Sequence, residues 1–352
     1  MILRDPVHGL VAFEGDEEGI VERLLDTPEV QRLRRVRQLG VTSLVFPGAE
    51  QTRFAHGIGA AFVMKLLLAR LRAIHGELPI DQRITPERAR EALAAALLHD
   101  LGHGPLSHLF EDAIPGAPPH ETWTERIVLD ASTKVNEVLA SIDRTLPARV
   151  VDLVHGRHEL PYLARAVSGE VDVDRCDYLL RDAHATGVRY GLYDLDWLLR
   201  SLRFAPARGT EAPALAVDGG KGLRAIEAFI TARLFMFQEV YLHKAARAAE
   251  WMIRTILARA VMVLREGGSL DSVPAAVASV ARGEPIALRD YLELDDGVLW
   301  GAMHAWEDAG DRPLADLAKR VRARALFKTI ELFGDQASGE ARISGDAVCK
   351  TR

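Results

Sequence analysis

Cysteine is almost missing from this 352-residue sequence, with only Cys176 and Cys349 present. Two thiols exclude a disulfide framework and a cysteine-rich zinc site, and they suit a reducing compartment. Long apolar runs are missing as well. No uncharged stretch approaches the ~18 residues that a membrane-spanning helix needs, and the start, MILRDPVHGL, meets charge too early for a secretory leader. Nor is there a strong excess of one charge. The formal net charge is −6, so the overall balance advertises neither a nucleic-acid nor a membrane partner. Low-complexity sequence is scarce and no internal repeat stands out. These absences leave a cytoplasmic protein as the expectation. What is present is an ordinary globular composition, 48% hydrophobic and 27% charged, with material for a large core and, by length, about two domains.

Most of the chain has helical periodicity. DEEGIVERLLD (16–26) and TPEVQRLRRVRQL (27–39) predict two short amphipathic helices, the second with Thr27 as N-cap and Pro28 at its first position. GIGAAFVMKLLLARLRAIHG (57–76) spaces its apolar residues by three and four. TPERAREALAAALLHD (85–100) becomes apolar all round, which predicts a helix inside the protein. LRFAPARGTEAPALAVDGG (202–220) suggests a β-hairpin, and a long helix is expected over 221–265. After EGGSLDS (266–272) comes a more polar C-terminal lobe with a strand-like run at ALFKTIEL (325–332). The expected class is mainly α, with a small hairpin and a short α+β C-terminal lobe, divided as 1–265 and 266–352.

Three of the twelve histidines, His99, His103 and His108, fall within ALLHDLGHGPLSHLFED (96–112). Adjacent helical residues point about 100° apart, so His99 and Asp100 can share one ion only near a helix end. Gly102, Gly104 and Pro105 supply that end. Taken singly, the pair also reads as a buried histidine at a helix terminus with Asp100 capping the next turn. RFAHG (53–57) places an arginine and a histidine at the start of another helix. EVDVDRCDYLLRD (170–182) sets five acids inside an apolar helical pattern, with Asp174 and Tyr178 on one face. Asp172 and Asp174 cannot share one exposed face, so a carboxylate there is expected to be buried. A buried carboxylate needs a cation, and a metal answers that need.

These motifs, together with DPVHG, DTPEVQRLRRVRQLG, FPGAEQTRFAHGIG and the LFK near 327, occur in an order that resembles the HD-domain phosphohydrolases. Within them the sequence most resembles the deoxynucleoside triphosphate triphosphohydrolases of the SAM-and-HD-domain type and their bacterial relatives, over roughly residues 4–330. The resemblance implies an HD-domain helical core in 1–265 and His56, His99, Asp100 and Asp174 as ligands of one divalent ion. Two imidazoles and two carboxylates suit manganese, magnesium or iron, with a second magnesium able to accompany the triphosphate. The resemblance places His103, His108 and His120 around the scissile phosphate, with His108 as general acid and His120 by the attacking water; those two roles are interchangeable on the sequence alone. It adds Arg53, Arg175 and Arg233 for the phosphates, Gln38 and Asp182 for the 3′-hydroxyl, Tyr178 against C2′, Leu39 under the base, and Tyr241. Arg175 stands where relatives have lysine, and Phe237 and Leu242 where they have polar residues.

The same resemblance implies a homo-oligomer, dimer or tetramer, with an activating nucleotide such as GTP or dGTP between subunits. Asp26, Gln31, Arg34, Lys221, Arg324 and Lys328 would hold it, although Met1 and Arg4 depart from the pattern. Read without the resemblance, TPEVQRLRR is a basic helix face. The implied reaction is hydrolysis of a dNTP to deoxynucleoside and tripolyphosphate. Alternatives are an HD phosphatase or phosphodiesterase on another nucleotide, a di-iron oxygenase drawing extra ligands from His155 and His158, and a nucleotide-binding regulator without turnover.

Overall fold

The computed structural model describes residues 1–114, 117–207, 209 and 212–329, apart from the side chain of Glu77. The chain opens with an antiparallel hairpin, β1 (Ile2–Asp5) and β2 (Gly9–Ala12), in the register Ile2↔Ala12 to Asp5↔Gly9. Helices α1 (Gly15–Leu25) and α2 (Pro28–Arg32) follow. The expected helix over 27–39 is shorter than its periodicity suggests. After a single 3₁₀ turn at Leu33–Arg35, Val36 becomes extended. Arg37 then forms a β-bridge with Thr52, and Gln38 N–H donates to Gln51 O at 2.9 Å.

Two long helices make the centre. Helix α3 (Arg53–Ile74) starts earlier than the apolar pattern predicts, because Thr52 caps it by accepting from Ala55 N–H. Helix α4 (Pro86–Leu98) opens on the Thr85 cap and buries Ala89 and every residue from Glu91 to Leu98. Around this pair come α5 (His108–Ala113), α6 (His120–Leu129), α7 (Lys134–Ile142), α8 (Leu146–Val154), α9 (Pro161–Val167) and α10 (Val173–Thr186). Helix α11 (Leu195–Arg200) leads into the second hairpin, β3 (Leu202–Pro206) with β4 (Pro213–Val217).

The single helix expected over 221–265 is corrected to two, α12 (Leu223–Met236) and α13 (Lys244–Arg265). Between them a wide, π-type turn spans Phe237–Tyr241, and His243 caps α13. No proline or glycine marks this break. The C-terminal elements are α14 (Ala275–Ala281), α15 (Leu288–Leu292), α16 (Asp296–Ala305) and α17 (Arg312–Arg322). Residues 325–329 of the strand-like run are irregular, and the remainder of that run lies outside the described residues. The class is mainly α with two small antiparallel hairpins, and among the described residues no helix is long and apolar enough to cross a membrane.

Apolar burial falls into two clusters. One surrounds α3 and α4 and reaches α10 and the first hairpin. The other joins α13–α17 to Leu106, Leu109, Phe110, Ile114 and Trp123. The second cluster therefore packs against the segment that follows the His99–Asp100 pair.

Candidate metal centre and substrate cleft

Three chain segments end at one point. The Thr52 cap places Arg53 at the first position of α3 and His56 one turn in. Helix α4 stops at Leu98, and His99, as its C-cap, donates from Nδ1 to Ala96 O at 2.9 Å. Gly102 then turns the chain so closely that a Cβ there would lie 2.0 Å from His120 O. At α10, Asp172 is the buried N-cap, accepting from Arg175 N–H at 2.8 Å and Gly169 N–H at 3.0 Å. This frees Asp174, one residue into the helix, to face the histidines.

His56 Nε2 lies 3.2 Å from His99 Nε2 and 3.0 Å from Asp174 Oδ1, and His99 Nε2 lies 3.4 Å from the same oxygen. Asp100 sits just behind, Oδ2 3.5 Å from His56 Nε2 and Oδ1 3.5 Å from His99 Nε2. The hydrogen bonds assign the tautomers. His99 Nδ1 faces a carbonyl and His56 Nδ1 faces Asp177 Oδ2 at 2.8 Å, so both are N–H donors. The two Nε2 atoms then face each other with Asp174 alongside, and a cation between them, a proton on His56 or a metal ion, relieves that approach. A divalent ion with bonds of about 2.1 Å at right angles holds its donors about 3 Å apart, which this set matches. Burial opposes charge on His56, yet Asp174 and Asp177 pull its ring up to about 10. Asp174 is driven down despite burial, by His56 and His99. The donor set thus fits a divalent metal and places a positive charge at its centre.

A second cluster adjoins it. His103 and His120 stack at 3.8 Å, with His108 edge-on to both at 4.7 and 4.9 Å. Glu111, absent from the sequence-based set, joins them. It accepts from His108 Nδ1 at 2.6 Å, from His120 Nδ1 at 3.1 Å and from His120 N–H at 2.7 Å. Its one sequence signal is the i, i+3 spacing from His108. Burial raises the Glu111 carboxyl, but these histidines bring it well below its ordinary range. Burial and the neighbouring Arg53 hold the His103 ring well below its ordinary pKa. Arg53 pairs with Asp100 and donates to Ser107 Oγ at 2.9 Å. Leu106 and Ser107 both adopt left-handed backbone, φ 57° and 60°, a strained choice for residues with side chains. Asp296 holds that turn by accepting from Leu106 N–H at 2.7 Å and Arg37 N–H at 3.0 Å.

A cleft of about 440 Å³ opens beside these groups, lined by Gln38, Leu39, Arg53, His108, Tyr178, Asp182 and Tyr241 among others. On its floor Asp182 accepts from Gln51 Nε2 and from the Tyr241 hydroxyl, each at 2.8 Å, and burial pushes it up to about 6. The buried Gln38 Oε1 has no hydrogen-bond partner among the described residues. Arg175 and Arg233 do not line the cleft. Arg175 turns to its own N-cap, Asp172, and to Gly169 O at 2.6 Å, while Arg233 lies 3.6 Å from Glu170. Two cations that the sequence reading missed, Arg247 and Arg254 on α13, line it instead.

The six residues expected to bind an activating nucleotide are only partly joined. Gln31 donates to Leu25 O at 2.6 Å and accepts from Arg34 Nε at 2.7 Å, and Arg34 lies over the Phe54 ring at 3.7 Å. Asp26, Lys221, Arg324 and Lys328 are exposed. Among the described residues no hydrogen bond or ion pair links Gln31 and Arg34 to Lys221, Arg324 or Lys328. His155 and His158 lie elsewhere: His155 meets Glu125 at 3.1 Å, and His158 meets Glu91 at 3.2 Å. Glu91 is two turns before His99 on α4, about 12 Å along the axis, which removes His158 from a second metal position.

Comparison with known proteins agrees with this geometry. The HD domain family matches residues 53–182, the span from Arg53 to Asp182. The uncharacterised protein YwfO of Bacillus subtilis is 36% identical over 94% of this chain and 72% of its own length. The deoxynucleoside triphosphate triphosphohydrolase SAMHD1 of Homo sapiens is 26% identical over 94% of this chain; that of Gallus gallus is 30% identical over 93%. The chain spans about half the length of these two, 54% of the human and 55% of the chicken protein. The crystal structure of a phosphohydrolase from Bacteroides thetaiotaomicron superposes with a TM-score of 0.81 at 30% identity, covering 96% of this chain and 80% of that one. The chain belongs to the HD-domain phosphohydrolase family.

Proposed function

We propose that the protein hydrolyses deoxynucleoside triphosphates to deoxynucleoside and tripolyphosphate. The observation that carries this reading is a cleft lined by Arg53, His108, Tyr178 and Asp182, next to the His56–His99–Asp174 donor set, with a hydrogen-bonding floor. That floor, Asp182 with Tyr241 and the unpartnered oxygen of Gln38, suits a sugar hydroxyl. The similarity to SAMHD1 supports the same substrate class.

His56, His99, Asp100 and Asp174 would hold a divalent ion such as manganese, magnesium or iron, which supplies Lewis acidity for water and a phosphoryl oxygen. The chain's own groups do the rest. Water adds to the α-phosphorus and the bond to the 5′-oxygen breaks. His108 gives that oxygen a proton, with Glu111 holding its Nδ1 so that Nε2 faces the cleft. His120, on the same carboxylate, orients the water, and Arg53 neutralises charge on the phosphates, assisted by Arg247 and Arg254. Gln38 and Asp182 take the 3′-hydroxyl, Tyr178 crowds the 2′ position, and Leu39 lies under the base.

The related proposal for regulation is a homo-oligomer in which Gln31, Arg34 and Asp26 of one copy meet Arg324 and Lys328 of another around a nucleotide such as GTP or dGTP. Chromatography of products from dATP, dGTP and ATP tests the main reading. Intact tripolyphosphate, formed faster from the deoxynucleotides, is expected. Inorganic phosphate or pyrophosphate instead identifies a phosphatase or another nucleotide hydrolase.

A further inference from the structure

We infer that His8 is a positioning residue of the metal centre, acting through Asp177 on His56. The inference rests on the metal reading of His56, His99 and Asp174. His8 belongs to the first hairpin, far along the chain from every other residue of the site. Its place is nonetheless built. Asp5 Oδ1 accepts from the backbone N–H groups of Val7 and His8, each at 2.9 Å, which folds the DPVHG turn. Asp5 Oδ2 accepts from Arg181 Nη1 at 2.8 Å and so ties the turn to α10. The His8 ring packs against Phe62 of α3 at 5.5 Å, and its Nε2 donates to Asp177 Oδ1 at 2.6 Å.

Asp177 is fully buried and accepts four bonds. Oδ1 takes His8 Nε2 and Arg181 Nη2 at 2.9 Å, while Oδ2 takes His56 Nδ1 and Arg181 Nε, each at 2.8 Å. A carboxylate has about four lone-pair sites, and all are used. Together the four donors hold the orientation of the group that aims the His56 ring. Gly59, three residues after His56 on α3, leaves the room required. A Cβ there would stand 1.9 Å from Asp177 Oδ1 and 2.3 Å from Arg181 Nη2. Without the His8 donor, Asp177 keeps Arg181 on both oxygens but loses the bond that opposes it at Oδ1, so the carboxylate re-centres on the guanidinium and the line of His56 Nε2 toward His99 and Asp174 shifts with it. Partners that orient a metal-bound histidine in this way commonly change metal affinity by about 10–100-fold when lost.

The test uses the full-length protein and manganese(II) alone, with affinity measured by chelator competition after circular dichroism has checked folding. His8→Phe keeps the ring packing on Phe62 and removes the donor; His8→Leu replaces it if the phenylalanine variant does not fold. His8→Gln returns one N–H near the Nε2 position. The expected result is a loss of manganese affinity of up to about 10-fold in His8→Phe, the lower end of what a directly bonded partner contributes, recovery in His8→Gln, and a changed visible spectrum of bound cobalt(II) in His8→Phe only. A purely structural hairpin contact lowers stability without altering the cobalt spectrum of loaded, folded protein. Wild-type affinity in folded His8→Phe, or equal impairment of His8→Gln and His8→Phe, overturns the inference. Asp174→Ala separates the two readings. If it keeps the ion, Asp174 leaves the donor set on which the inference rests, and the inference falls with it; if it loses the ion while His8→Phe does not, only His8 is wrong.

Discussion

Two imidazole nitrogens aimed at each other across 3.2 Å are the most informative pair of atoms in the molecule. Their sidedness is set by Ala96 O and Asp177, and Asp174 closes the third side. Asp174→Ala is expected to strip the bound metal and abolish hydrolysis while the helices stay folded, read by elemental analysis of the purified proteins. Metal content equal to wild type would remove Asp174 from the donor set. His108→Ala should behave differently, because proton transfer by a positioned side chain is worth about 10²–10⁴-fold in rate. Its kcat should drop by that order with metal content unchanged, and normal turnover at saturating dNTP would defeat the assignment. His56, His99, Asp100 and Asp174 were expected together through the resemblance, the local sequence adding only that His56 and the His99–Asp100 pair stand at helix ends. Glu111 and Asp177 were not, since a carboxylate three or four residues along a helix looks the same whether it meets water or a histidine. His8 was invisible for a simpler reason: its partner is 169 residues away.

Elements explain why those residues can be where they are. Helix α4 was readable from its wholly apolar face, and its buried position puts His99 and Asp100 at the inner end of a rigid rod. Helix α3 was readable in its body but not at its start, because the Thr52 cap and the Arg37–Thr52 bridge act before the apolar pattern begins. Losing an N-cap hydroxyl typically costs about 0.5–2 kcal/mol. Thr52→Ala should therefore lower the urea midpoint by an amount in that range with an unchanged slope, and an unaltered midpoint would show that the bridge alone fixes the start. The division between α12 and α13 was not readable at all. Nothing in FQEVYLH breaks a helix; Tyr241 leaves the helical path with its hydroxyl bonded to Asp182, and Phe237 packs on its ring at 5.2 Å.

At the scale of the whole molecule, the C-terminal lobe belongs to the site. Arg32 bridges Leu294 O at 2.9 Å to Leu101 O at 3.0 Å and His103 O at 2.7 Å. Tyr291 stacks on Trp123 at 3.8 Å and its hydroxyl donates to Gly102 O at 2.6 Å. Asp296 grips the left-handed turn before His108. The sequence reading expected a polar lobe of short helices here without placing any of them, and it had no means of naming the loop they hold. Asp296→Asn leaves one carbonyl oxygen for two N–H groups, so the turn should relax and His108 should drift. The expected outcome is a fall in kcat of up to about 10²-fold with manganese affinity retained. Equal loss of both would place Asp296 in general stability rather than in loop positioning.

The grip of Asp296 on Leu106, 190 residues apart in the chain, also sets an order of events on the ribosome. Every candidate metal donor lies at or before Asp174, so the emerging chain carries the complete set long before α16 has been made. At about 5–20 residues per second, the turn that aims His108 waits roughly 10–40 s for its clamp. On the proposed roles, the groups that would hold the ion are all made in the first half of the chain, and the clamp on the turn that carries His108 only near its end.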